Sequence, residues 1–155
     1  MALETGTRAP IFTLQDSEGK ERSLTDLAGE KNLVLLFFPL AFSSVCTREL
    51  CQTRDNMKLY ESLDAEVAAI SVDSFFTLRE FKKSNNLNFT LLSDFNREVS
   101  KIYDTLYDDY FGMKGVAKRS AYVIDREGVI RYSEVLENSE HIPDFNALQQ
   151  TLQSI

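Results

Sequence analysis

The chain has 155 residues, of which 43% are hydrophobic and 26% charged, and its net charge is −7. That length suits one domain, residues 1–155, around a single sizeable core, and the acidic balance argues against nucleic acid or an anionic membrane as main partner. Two cysteines cannot scaffold a chain this long, so the pair points to catalysis in a reducing cytoplasm rather than to structure.

Residues 1–6 have neither a basic head nor an apolar stretch and read as no secretory signal. No run approaches a membrane span. Residues 9–15 alternate, 16–19 are a turn cluster and 20–24 follow, which predicts an N-terminal β-hairpin. A short helical turn and a loop are expected over 25–30. The apolar run Leu33-Val-Leu-Leu-Phe-Phe38 reads as a buried parallel strand. Pro39, without an N–H, ends its ladder.

A helix is expected to begin at Ser43 or Ser44, either able to cap it, and to end at Leu63-Asp64. Cys46, Leu50, Thr53, Met57 and Tyr60 recur along it at helical spacing. Cys46 then lies in the first turn, where backbone N–H groups lack internal partners and the dipole is positive. With Ser43 as cap, Cys46 stands where a capping box would place glutamate. Such a site favours the thiolate, which is the nucleophile. The plain alternative is a small buried apolar residue, but Pro39, the paired serines and the strand-to-helix turn favour the reactive one.

Residues 66–72 read as the next buried strand, completing a right-handed βαβ unit. A second helix is expected over 75–85 with Phe76, Leu78 and Phe81 as its apolar side, then a short strand over 89–93 and a short helix over 97–103. Residues 107–115 form a mobile-looking loop, and its Asp108-Asp109 pair reads as a solvated turn rather than a metal site. A hairpin over 120–133 and a helix over 142–152 close the chain.

Pro39-x-x-x-Ser43-x-x-Cys46 is similar to the peroxiredoxin signature Pro-x-x-x-Thr/Ser-x-x-Cys. Phe37-Phe38-Pro39-Leu40-Ala41-Phe42 and Arg119-Ser-Ala-Tyr-Val-Ile-Asp125-Arg-Glu-Gly128 resemble the alkyl hydroperoxide reductase E branch. The match runs in the family's order from about Gly6 to the end. The element order is that of an α/β thioredoxin-like fold, with an added N-terminal β-hairpin and a central mixed sheet flanked by helices. Thioredoxins themselves carry Cys-x-x-Cys and a cis-proline before the antiparallel hairpin. Here the prolines are 10, 39 and 143, and Arg119 stands at the expected proline position, which disfavours a disulfide reductase.

The resemblance implies a thiol-dependent peroxidase for hydrogen peroxide and organic hydroperoxides, needing no cofactor and no metal. It implies Cys46 as nucleophile and Arg119 as the fixed cation beside it. Ser43 would place its hydroxyl on a peroxide oxygen, Pro39 would shield the thiolate from water, and Glu49 would orient the arginine. Each has a plain counterpart: a strand-end arginine, a capping serine, a strand-ending proline, a solvated helix glutamate. Leu40 and Phe42 are expected to wall the pocket, whereas core packing is enough to explain Phe37.

Cys51 sets the subclass. Cys46-x₄-Cys51 resembles the bacterioferritin-comigratory (Q-type) peroxiredoxins, in which the second cysteine resolves the sulfenic acid as an intramolecular disulfide. Five residues along an ideal helix separate Cα atoms by about 8.6 Å and ~140° of rotation, beyond the ~7 Å reach of a disulfide. The first turns must therefore unwind. A one-cysteine enzyme resolved by an external thiol, and a non-enzymatic sensor or holdase using the same disulfide, stay open. The expected reductant is thioredoxin- or glutaredoxin-like, and the expected assembly a monomer or homodimer. The cysteine spacing also suits zinc, but the single histidine, His141, lies far along the chain and no second cysteine pair exists.

Overall fold

The computed structural model describes residues 3–155; Met1 and Ala2, part of the N-terminal stretch considered above, lie outside the described residues. The expected hairpin forms as β1 (Thr13–Asp16) and β2 (Glu21–Ser23). The Asp16 carboxylate closes its turn by accepting from the N–H groups of Glu18 and Lys20. Ser23 and Asp26 then form a capping box at the start of α1 (Leu24–Ala28).

Every residue of β3 (Asn32–Phe37) is buried. Its side chains alternate between two cores, Val34 and Leu36 on one face and Leu33, Leu35 and Phe37 on the other. Next come α2 (Ser44–Asp55) and α3 (Met57–Ser62). The single helix expected here breaks at Asn56, whose φ of −102° and ψ of 8° leave the helical region. Because Met57 and Tyr60 stay buried beyond the break, the apolar period runs through it unchanged.

The chain continues through β4 (Ala65–Ser71), α4 (Phe75–Ser84), β5 (Thr90–Ser93) and α5 (Glu98–Ile102). It ends with β6 (Ser120–Ile124), β7 (Ile130–Val135) and α6 (Phe145–Gln153). On α4, Leu78 and Phe81 are buried, but Phe76 is 66% exposed and stacks on Phe75. Two residues before Leu78, it stands about 200° around the helix from it, so it cannot share that face.

The seven strands form one sheet in the order β2-β1-β5-β4-β3-β6-β7. β3, β4 and β5 run parallel, while β6, β7, β1 and β2 pair antiparallel. β3 is thus parallel to β4 and antiparallel to β6, not flanked by parallel neighbours on both sides. Helices α2, α3, α4 and α6 cover one face, and α1 and α5 the other. In the β3–β6 ladder Phe37 stands opposite Ser120. That register brings the residue entering β6, Arg119, to the end of β3 where the chain turns into α2.

Candidate active site

The segment between β3 and α2 is held at both ends. The Phe38 N–H donates to the Ile70 carbonyl of β4, Pro39 is buried, and the Ala41 N–H donates to Asp73 Oδ2 at 2.8 Å. Phe42 reverses the chain with a φ of 70°, a left-handed conformation uncommon outside glycine. Ser43 occupies the N-cap backbone position, but its side chain makes no capping hydrogen bond. The hydroxyl instead donates to the Leu40 carbonyl at 2.9 Å. The expected serine cap is therefore replaced by a bond that braces the loop, and the first-turn amides of α2 receive nothing from that hydroxyl.

Cys46 is the third helical residue and is fully buried. Arg119 Nη2 donates to its Sγ at 3.3 Å and to the Ser139 carbonyl at 3.0 Å. Arg119 Nη1 pairs with Glu49 Oε1 at 2.7 Å. Glu49 is completely buried and so is not a solvated helix glutamate. It lies one turn beyond Cys46 on the same side of α2, so one planar guanidinium spans the sulfur and the carboxylate.

Burial shapes the charges of this pair. It pushes the Glu49 carboxyl up to about 7 against the pull of Arg119. Burial opposes the charge on Arg119 too, but Glu49 and Cys46 outweigh it and hold the guanidinium above its ordinary value. Arg119 Nε and Glu49 Oε2 have no hydrogen-bond partner. The centre thus contains a sulfur at a helix N-terminus, a fixed cation against it, and a guanidinium N–H still to be engaged. Such an arrangement can stabilise negative charge on sulfur and on an oxygen leaving it.

The other expected residues divide. Leu40 is partly buried beside this centre in sequence and contributes its carbonyl. Phe42 is 53% exposed, and its ring packs against Phe81 of α4 with centroids 5.1 Å apart. Phe37 belongs to the opposite core, with Tyr103 and Tyr122. Cys51 is partly buried and unpaired, with Sγ 3.7 Å from Asn85 Oδ1 at the end of α4. Arg54 Nη1 donates to the Asn85 carbonyl at 2.7 Å. His141 is exposed, as are Asp108 and Asp109. No group of three or more potential metal-ligating side chains converges among the described residues.

Three residues around this centre escape sequence reasoning. Asp73 follows β4 at the same sheet end as Pro39, where open α/β sheets place their sites, so its position was legible though its partner was not. Asn85 is one polar residue among several at a helix end. Ser139 acts through a backbone carbonyl, which leaves no side-chain signature.

Comparison with known proteins identifies the family. The AhpC/TSA family matches residues 5–133. The chain is 37% identical over 140 residues to alkyl hydroperoxide reductase E of Mycobacterium tuberculosis, covering 89% of each chain. It is 41% identical over 133 residues to the putative peroxiredoxin bcp of Coxiella burnetii, covering 84% of this chain and 87% of that one. The crystal structure of peroxidoxin BcpB from Mycobacterium tuberculosis superposes with a TM-score of 0.88 at 28% identity, over 99% of this chain and 98% of that one. With the family model matched over most of the chain and relatives covered along nearly their whole length, the chain belongs to the AhpC/TSA family of peroxiredoxins, and is a thiol-dependent peroxidase.

Proposed function

We propose that Cys46 is the peroxidatic nucleophile and Cys51 the resolving cysteine. The observation that carries the assignment of Cys46 is the guanidinium of Arg119 lying 3.3 Å from Cys46 Sγ and 2.7 Å from Glu49 Oε1. The Cys46 thiolate attacks one oxygen of ROOH. An S–O bond forms as the O–O bond breaks, sulfur loses two electrons, and the departing alkoxide takes a proton to leave as ROH. Arg119 stabilises the charge that builds on the departing oxygen, and Glu49 keeps the guanidinium turned toward the sulfur. The Ser43 hydroxyl already donates to Leu40, so its lone pairs are what it offers, accepting from the O–H of a hydroperoxide. Pro39 and Leu40 keep water from the sulfur.

Resolution follows on α2. The Cys51 thiolate displaces hydroxide from Cys46-SOH, a disulfide forms and water leaves; two residues five apart in a regular helix must first lose that helix. A dithiol protein of thioredoxin or glutaredoxin type then reduces the disulfide in the cytoplasm. Peroxide titration of the wild type, Cys46→Ser and Cys51→Ser with mass-spectrometric readout tests the assignment. The expected products are a 46–51 disulfide in the wild type, no reaction in Cys46→Ser, and arrest at sulfenic or sulfinic acid in Cys51→Ser. A wild type left with sulfenic Cys46 and free Cys51 would remove Cys51 from the mechanism.

A further inference from the structure

Arg119 has a third partner that neither cysteine nor Glu49 explains. Its Nη2 carries two N–H groups, one directed to Cys46 Sγ at 3.3 Å and one to the Ser139 carbonyl at 3.0 Å. A guanidinium is planar and rigid, so fixing one of these directions fixes the other. Ser139 lies in the stretch after β7, whose neighbours Glu137, Asn138 and Glu140 are exposed. A carbonyl on such a stretch aims an arginine only if something holds it.

The loop 107–115 holds it. Tyr107 donates its hydroxyl to the Glu137 carbonyl at 2.8 Å, and Tyr110 donates to Ser139 Oγ at 3.2 Å. The two rings stack with centroids 4.9 Å apart. Lys118 closes the group, pairing with Glu137 at 2.7 Å while its ammonium lies 5.9 Å from the Tyr107 ring centroid. Burial, together with Tyr110 and Glu137, pushes the Tyr107 phenol upward, so it stays a protonated donor through the neutral range.

We propose that Tyr110 and Ser139 are positioning residues for the peroxidase reaction: the Tyr110–Ser139 bond holds the carbonyl that aims Arg119 Nη2 at Cys46. The loop that sequence alone reads as mobile is thereby part of the catalytic support. The inference rests on Arg119 acting at Cys46, as proposed above.

The test is a mutant cycle in a Cys51→Ser background, reading the second-order rate of Cys46 oxidation by hydrogen peroxide through quenched mass spectrometry. Tyr110→Phe and Ser139→Ala each delete the same bond. Each should slow oxidation by about threefold to tenfold, a misaimed rather than a missing donor, and the double variant should be no slower than either. In an Arg119→Lys background neither should have a further effect, because an ammonium lacks the fork that the carbonyl aims. General loosening of the fold would still slow the lysine variant. Tyr110→Phe and Ser139→Ala at the wild-type rate, or equal slowing in both backgrounds, overturns the inference while leaving Arg119 in place. Arg119→Lys at the wild-type rate removes the role of Arg119, and this inference with it.

Discussion

Arg119 and Cys46 stand 73 positions apart in the chain, yet the guanidinium Nη2 of one is 3.3 Å from the sulfur of the other. Sheet register does most of that work. Phe37 opposite Ser120 puts the start of β6 beside the end of β3, and α2 begins seven residues later. The same register places Glu49, one helical turn past the sulfur, where a second nitrogen of the guanidinium reaches it.

Arg119 is therefore expected to be irreplaceable by lysine. Arg119→Lys keeps the charge but not the planar fork, and should slow Cys46 oxidation by on the order of 10²-fold, the scale of losing one oriented donor at a developing oxyanion. Arg119→Met should also lower stability by about 3–5 kcal/mol, since it strands a buried carboxylate. The paired change Arg119→Met with Glu49→Gln should recover much of that stability and none of the rate. Stopped reactions and urea melts separate the two; a rate recovered along with stability would show that the arginine only holds the fold.

The pH dependence of stability should trace to Glu49. Its carboxyl moves from an ordinary 4.5 to about 7 in the fold because burial outweighs the attraction of Arg119. Between those values the folded chain keeps a proton that the unfolded chain has released. The stabilisation present at low pH is thus lost as pH rises from 4.5 through about 7. Glu49→Gln cannot titrate, so urea midpoints measured from pH 5 to pH 8 should decline less in that variant than in the wild type. Parallel declines would locate the proton elsewhere.

Much of this was legible in the sequence, for reasons that differ by residue. β3 is buried on both faces and reads as an unbroken apolar run; α2 starts after a proline, on the second of two serines; Cys46 falls in its first turn. Arg119 had no local signal, since an arginine before a strand is ordinary, and only family resemblance singled it out. The Asn56 break left no trace because burial keeps its period across it. Ser43 was misread as a side-chain cap because sequence does not say whether a hydroxyl turns to the helix amides or back to a loop carbonyl.

Asn85 is expected to restrain resolution. Its Oδ1 lies 3.7 Å from Cys51 Sγ, and its Nδ2 donates to the Phe81 carbonyl at 3.1 Å, which fixes the amide with its oxygen toward the sulfur. Phe81 also packs on Phe42, just ahead of α2. One turn of α4 thus touches the chain near both cysteines and favours the folded helix. Asn85→Ala should speed conversion of Cys46-SOH to disulfide severalfold and reduce the sulfinic fraction under excess peroxide, at a stability loss of about 1 kcal/mol. Mass spectrometry of the product ratio against peroxide concentration checks this. An unchanged ratio, with wild type forming the disulfide normally, would mean that unwinding is limited at the Cys46 end.

Asp73 should control the loop that presents Cys46. Its Oδ2 accepts from the Ala41 N–H at 2.8 Å and from Ser71 Oγ at 2.7 Å. Burial raises its pKa, and those two hydrogen bonds pull it back. The Ala41 N–H that it holds follows directly on the Leu40 carbonyl that receives the Ser43 hydroxyl. Removing the carboxylate frees the segment carrying both the serine and the left-handed Phe42. Asp73→Ala should therefore slow peroxide oxidation of Cys46 by about tenfold, a loss of alignment rather than of chemistry. Asp73→Asn, whose amide oxygen can still accept from Ala41, should lose far less. The contrast between the two variants is the informative measurement, because both remove the charge and only one removes the acceptor. Equal losses would assign the effect to the charge of Asp73, and equal retention would leave the loop to be held by Pro39 and the Phe42–Phe81 contact alone.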